Sequence, residues 1–281
     1  MKVVSLCPSN TELLAYLGCL DLLVGVDDYS DWPKEVKHLP RVGPDLTIDL
    51  DAVEKLEPDL ILASLSVPGM ERNIEELEKR KLPYIVLNPN SLDEIAQSLL
   101  VVGEALSVKE QAETIVEAYN DTLHTYRQLA KEISKKPTLY WEWWPKPVFT
   151  PGYVNWLTEI SELAGCVNVF SDIQKENVQS DWEEVRRRNP DHICLAWVGV
   201  QTNKVNPTIV YKRPHWQTMH AVKNQSIHVL EEWLYCRPSP RLLTGLHKLA
   251  SLIHPNVFPA FKGEDILLSI MKRTSSCHKT K

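Results

Sequence analysis

Between Val108 and about Lys136 the chain carries neither proline nor glycine, while apolar side chains recur at Ile115, Val116, Ala118, Tyr119, Leu123, Tyr126, Leu129, Ala130 and Ile133. Residues three and four apart share one face of an α-helix, so the pattern predicts one continuous helix of roughly 20 residues or more. Such a helix near the middle of 281 residues leaves a stretch on each side long enough to bury its own core. The expected organisation is an N-terminal α/β lobe over residues 1–107, a connecting helix over 108–136, a C-terminal α/β lobe over 137–260 and an extension over 261–281.

Short apolar runs alternate with helical segments on both sides. Residues 2–6, Leu22 to Val26, Asp59 to Ala63 and Tyr84 to Leu87 read as strands before the long helix, and Glu71 to Arg80 and Leu92 to Leu106 as helices between them. Pro8, Ser9 and Asn10 supply a turn and a cap for a helix beginning at Thr11. Beyond Pro137 the strand candidates are Thr138 to Trp141, Ile193 to Trp197 and Ile227 to Leu230, with Leu242 to Ile253 as a closing amphipathic helix. Short strands separated by helices of ten or so residues imply mainly parallel sheets, so the fold class is α/β with two Rossmann-like lobes joined by one long rigid helix.

The two halves echo one another. The run from Leu50 to Ala63, with Pro58-Asp59 at its centre, corresponds to that from Trp182 to Ala196, with Pro190-Asp191. Each is a short helix, a Pro-Asp turn and a buried strand. Related lobes on either side of one helix make the cleft between them the expected ligand site.

Composition narrows the function. A net charge of -6, with lysine and arginine scattered except at Arg186-Arg187-Arg188, excludes a nucleic-acid partner, which needs a clustered basic face. The triplet reads as an exposed helix end ahead of Pro190. Apolar runs fall well short of the roughly 20 residues of a membrane span. A strand begins at residue 2 with no signal-like segment before it, which points to the cytoplasm, with the periplasm or cell surface as the alternative if an N-terminal signal was removed. Cys7, Cys19, Cys166, Cys194, Cys236 and Cys277 occur singly, so neither zinc ligation nor a disulfide framework is expected.

Aromatic density is the most unusual feature. Of nine tryptophans, Trp141, Trp143 and Trp144 stand together ahead of Pro145 and Pro147, and strand alternation puts Trp141 and Trp143 on one face. Large rigid rings suit a macrocycle or bulky chelate, although core packing competes for each of them. The segment from Glu231 to Arg241 follows a strand and precedes a helix, where open α/β sheets place ligands. There Arg237 is expected at the ligand, Arg241 as a surface charge and Ser239 as the cap of the next helix. The loop Asp27 to Pro33 holds three carboxylates beside Tyr29 and Trp32 but not in the order of a hard-cation loop, so no metal is expected. No catalytic motif occurs, and His215 and His220 around Trp216 are the nearest thing to a base pair.

Several of these stretches together resemble the class III solute-binding proteins of ABC importers, in particular the cobalamin-binding branch. They are Ser5-Leu6-Cys7-Pro8-Ser9-Asn10-Thr11-Glu12-Leu13, Gly25 to Pro33, the repeated Pro-Asp unit, Pro147 to Gly152 and Pro238-Ser239-Pro240-Arg241. The resemblance implies a monomer that binds a corrinoid non-enzymatically, needs no cofactor and docks on an ABC permease dimer, or an intracellular relative of one. It implies ligand contacts at Tyr29, Trp143, Glu232, Trp233 and Arg237, permease docking through Asp51 and Glu183, and neither catalytic nor metal-ligating residues. Asp45 and Ser64 stand where cobalamin-binding relatives carry Trp, and Glu232 where they carry Asp. A ferric siderophore or haem is the alternative ligand, and a tetrapyrrole-modifying or chelatase-like enzyme the alternative of another class.

Overall fold

The computed structural model describes residues 1–271, so Cys277 and the end of the expected extension lie outside the described residues. The chain divides into two compact units. Unit 1 comprises Met1–Asn120, Pro238–Pro240 and the described residues from Ile270 on, and unit 2 comprises Asp121–Arg237 and Arg241–Ser269.

In unit 1, β1 (Val3–Ser5), α1 (Pro8–Tyr16), β2 (Leu23–Val26), α2 (Leu50–Lys55), β3 (Leu60–Ser64), α3 (Glu71–Arg80), β4 (Tyr84–Leu87) and α4 (Leu92–Ala105) follow in order. The strands form one parallel sheet in the order β2-β1-β3-β4. A sheet covered on both faces needs apolar side chains on both, which is why β1 and β3 are mostly apolar, each ending in a buried serine, Ser5 and Ser64. Val4, Leu6, Val53, Ile61, Ala63 and Leu77 anchor the core on one side. α1 starts earlier than expected: Cys7 is its extended N-cap and Pro8 sits in the first turn, where its missing N–H costs nothing. Ser9 and Asn10 are therefore buried helical residues rather than caps, and the Asn10 amide donates to the Ala63 carbonyl at 3.0 Å.

The long helix α5 runs over Lys109–Ala130, with Ala112, Ile115, Tyr119, Leu123, Tyr126 and Ala130 buried at helical spacing. It ends short of Lys136. The N–H groups of Lys131, Glu132 and Ile133 turn back to the carbonyls of Gln128, Leu129 and Ala130, three residues away, so the last turn tightens and stops.

Unit 2 continues with β5 (Thr138–Glu142), β6 (Trp144–Pro145), β7 (Val148–Pro151), α6 (Trp156–Leu163), β8 (Val167–Asn168), β9 (Asn177–Ser180), α7 (Trp182–Arg188), β10 (His192–Leu195), α8 (Thr208–Tyr211), α9 (His220–Lys223), β11 (Ile227–Val229), α10 (Glu232–Tyr235) and α11 (Leu242–Ile253). Its main sheet is parallel, in the order β11-β10-β5-β8, and β6-β7-β9 form a small antiparallel sheet beside it. The echoed helices α2 and α7 are built alike. Asp49 and Asp181 cap them through the N–H groups of Ala52 and Glu184 at 3.0 and 2.9 Å.

Candidate functional site

In unit 1, Tyr29 stands on the loop that leaves the carboxyl end of β2, with 54% of its surface exposed. The loop is clamped from below. The buried Asp27 carboxylate accepts the Tyr29 N–H at 2.7 Å and the Ser30 hydroxyl at 2.5 Å, and Ser30 meets the Thr11 hydroxyl at 2.7 Å. A carboxylate can only accept, so the Ser30 hydroxyl donates to Asp27. Arg41 donates to the carbonyls of Asp27 and Ser30, each at 2.7 Å. Asp27 thus braces the loop that presents Tyr29.

In unit 2 the tryptophan cluster begins on β5. Trp141 is fully buried, its indole N–H on the Ser161 hydroxyl at 2.9 Å. Trp143 is 9% exposed, and its indole N–H has no hydrogen-bond partner among the described residues. The ring turned to solvent is its neighbour Trp144, 43% exposed, inclined at 55° to Trp197 with centroids 6.3 Å apart. Between these rings lies a feature the sequence reading missed. Glu142 is fully buried and receives two hydrogen bonds from Arg213, at 2.6 and 2.7 Å, with further bonds from Tyr140 at 2.9 Å and Trp197 at 3.0 Å. The Arg213 guanidinium lies 4.4 Å from the Trp216 ring centre and 5.1 Å from that of Trp182. Burial, reinforced by the Glu142 charge, pushes the Tyr140 phenol well above its ordinary range. A lone Glu in an apolar strand was the available signal, because a buried charge needs a partner.

The loop after β11 holds the remaining ligand candidates. Glu232 and Arg237 approach to 3.5 Å, and Trp233 packs under the Arg241 guanidinium at 4.2 Å. Arg241 is only 6% exposed, which corrects its reading as a surface charge: the Trp233 ring covers it. Ser239 does not cap α11 either, since its hydroxyl donates to the buried carboxylate of Glu12 within unit 1.

Asp51 and Glu183 lie in the first turns of α2 and α7, each strongly exposed and each paired with an arginine, Asp51 with Arg80 at 2.5 Å and Glu183 with Arg186. These partners hold both carboxyls below their usual range. The arginine triplet is wholly engaged in such pairs, with Arg187 on Glu184 and Arg188 on Glu184 and Asp172. His215 and His220 are exposed, and His220 faces Asp191 at 3.6 Å, at the amino end of β10 and so at the opposite end of the sheet from the loops just described.

The model of the periplasmic binding proteins matches residues 3–232. The chain belongs to the periplasmic binding protein family. It is 32% identical over 262 residues to YvrC of Bacillus subtilis, an uncharacterized ABC transporter substrate-binding lipoprotein, covering 92% of this chain and 81% of that one. It is 29% identical over 251 residues to a vitamin B12-binding protein of Pectobacterium carotovorum, covering 89% and 87%. Among solved structures, a possible iron-binding periplasmic solute-binding protein of Staphylococcus epidermidis superposes with a TM-score of 0.77 at 26% identity, covering 90% of this chain and 98% of that one. The parallel α/β architecture of this family member is thus that of its solved relative. The cytoplasmic residence expected from the first residues is overturned, because the family is periplasmic and YvrC is a lipoprotein. Among the described residues of this family member, no helix is long and apolar enough to cross a membrane.

Proposed function

We propose that the protein is the substrate-binding component of an ABC uptake system and that it holds a corrinoid non-covalently, releasing it unchanged. The observation that carries this reading is kinship over nearly nine-tenths of the chain with vitamin B12-binding proteins. The rings of Tyr29, Trp143 and Trp233, with Glu232 and Arg237, are the proposed contacts. Loops at the carboxyl ends of parallel strands are where α/β proteins take ligands, and large rings give contact area at little entropic cost. Asp51 and Glu183 are the proposed docking acids for basic residues of a permease dimer. At the two positions where the resemblance leads one to expect Trp, the Asp45 carbonyl accepts from Asn73 and the Ser64 hydroxyl bonds Ser66, so the proposed corrin contact relies on the other rings.

Equilibrium dialysis against cyanocobalamin, haemin and a ferric hydroxamate, with mass analysis of the recovered ligand, tests this function. Retention of cyanocobalamin in one-to-one stoichiometry and its recovery intact support it. Recovery of an altered tetrapyrrole, with the change lost in His215→Ala, would replace it with an enzymatic role.

A further inference from the structure

Trp144 and Trp197 end up together for a topological reason. β5 and β10 are parallel neighbours with Glu142 opposite Leu195, and each tryptophan follows two residues beyond its member of that pair. Both rings therefore emerge at the carboxyl end of the unit 2 sheet. Trp144 is 43% exposed, Phe149 across the hairpin from it 37%, and Val198 beside Trp197 48%. Apolar surface gathered at that end of an α/β sheet marks an interaction site.

The Trp197 ring is held in place from behind. Its N–H donates to Glu142, whose other bonds come from Arg213 and Tyr140. A buried ion pair gives little net stability over an apolar pair of the same volume. What this one secures is the orientation of the indole, because Glu142 presents a fixed acceptor that no apolar residue supplies. Trp144 then packs against Trp197 at 55° rather than parallel to it. Two rings inclined at that angle cannot both lie flat against one planar ligand.

We propose that Trp144 and Trp197 form an aromatic notch that receives the apolar flank of a bulky, non-planar metal chelate, with Trp144 as a contact ring and Glu142 as the residue that positions Trp197. The notch rests on the ligand-binding function proposed above and adds two contacts to it. A flat chelate stacks on one ring only, whereas a puckered one with out-of-plane substituents touches both.

The test compares cyanocobalamin, a non-planar probe, with haemin, a flat one, by fluorescence titration of the full chain, with circular dichroism to establish that each variant folds. Trp144→Ala removes an exposed side chain and should weaken cyanocobalamin binding by about tenfold. Trp197→Phe keeps a ring but loses the N–H to Glu142, and should weaken cyanocobalamin several-fold while leaving haemin within about twofold. A loss of overall fold integrity would affect both probes equally, so an equal change contradicts the positioning role. Wild-type affinity for cyanocobalamin in folded Trp144→Ala removes the notch and leaves the proposed function standing. A wild-type protein that binds neither probe contradicts the ligand class itself, and one that binds haemin alone contradicts the preference for a non-planar ligand.

Discussion

The Glu142 carboxylate and the Arg213 guanidinium meet through two hydrogen bonds across 71 residues of sequence, and neither side chain reaches water. Each charge is tolerable only because of the other. Arg213→Ala leaves the Glu142 carboxylate in the core of unit 2 with the Tyr140 and Trp197 donors but no counter-charge, and should destabilise the protein by about 3 to 5 kcal/mol in chemical denaturation. The double variant Glu142→Leu/Arg213→Met should recover most of that loss. A double variant no more stable than Arg213→Ala would show that the pair contributes more than mutual compensation.

Asp27 is the corresponding brace in unit 1. Asp27→Ala deprives the Tyr29 N–H and the Ser30 hydroxyl of their acceptor and should cost about 1 to 3 kcal/mol. The Tyr29 amide, protected by that bond although its side chain is exposed, should then exchange with solvent much faster. An unchanged exchange rate in Asp27→Ala would mean that the carboxylate does not hold the loop.

His192 and His228 stack on adjacent strands with Nδ1 and Nε2 3.0 Å apart, a distance that fits one N–H donated between two neutral rings. Burial, and for His228 the charge of His192 as well, lowers both pKa values, that of His228 to about 4 against an ordinary 6.5. A histidine with a folded pKa below its unfolded one takes up a proton on unfolding. Its contribution is therefore complete above pH 6.5 and is lost as pH falls toward 4. The denaturation midpoint should drop across that window, and the drop should shrink in His228→Gln. An equal drop in both proteins would assign the acid sensitivity elsewhere.

Asp51 and Glu183 head capped helices that repeat one local design, and neither is among the proposed ligand contacts. Reversing both charges, Asp51→Arg with Glu183→Arg, should abolish ligand uptake by proteoliposomes carrying the permease and leave soluble ligand affinity unchanged. Full uptake by the reversed protein would remove these acids from the docking surface.

Elements bounded by turn residues and marked by amphipathic spacing were legible. α3, β4 and α11 fall where the sequence places them, and the Pro-Asp echo led to the matched helices α2 and α7. Boundaries set by local geometry were less so: the early start of α1 turns on Pro8, and the end of α5 on a tightened turn. In the tryptophan cluster, alternation does not tell which face is outward, and β5 ends at Glu142, before Trp143. β5 is a central strand covered on both sides, so Tyr140, Trp141 and Glu142 are all buried and the exposed ring belongs to the hairpin that follows. The pairings of Glu142 with Arg213 and of Arg241 with Trp233 depend on tertiary approach, and no local spacing encodes them.

Tryptophan-quenching titration of the purified protein with cyanocobalamin, corrected for inner-filter absorption and run beside haemin and a ferric hydroxamate, bears most directly on the proposed function. Saturable submicromolar binding of cyanocobalamin, tighter than that of either comparator, is the expected result. Saturable binding of haemin or the hydroxamate with none of cyanocobalamin would contradict the corrinoid assignment.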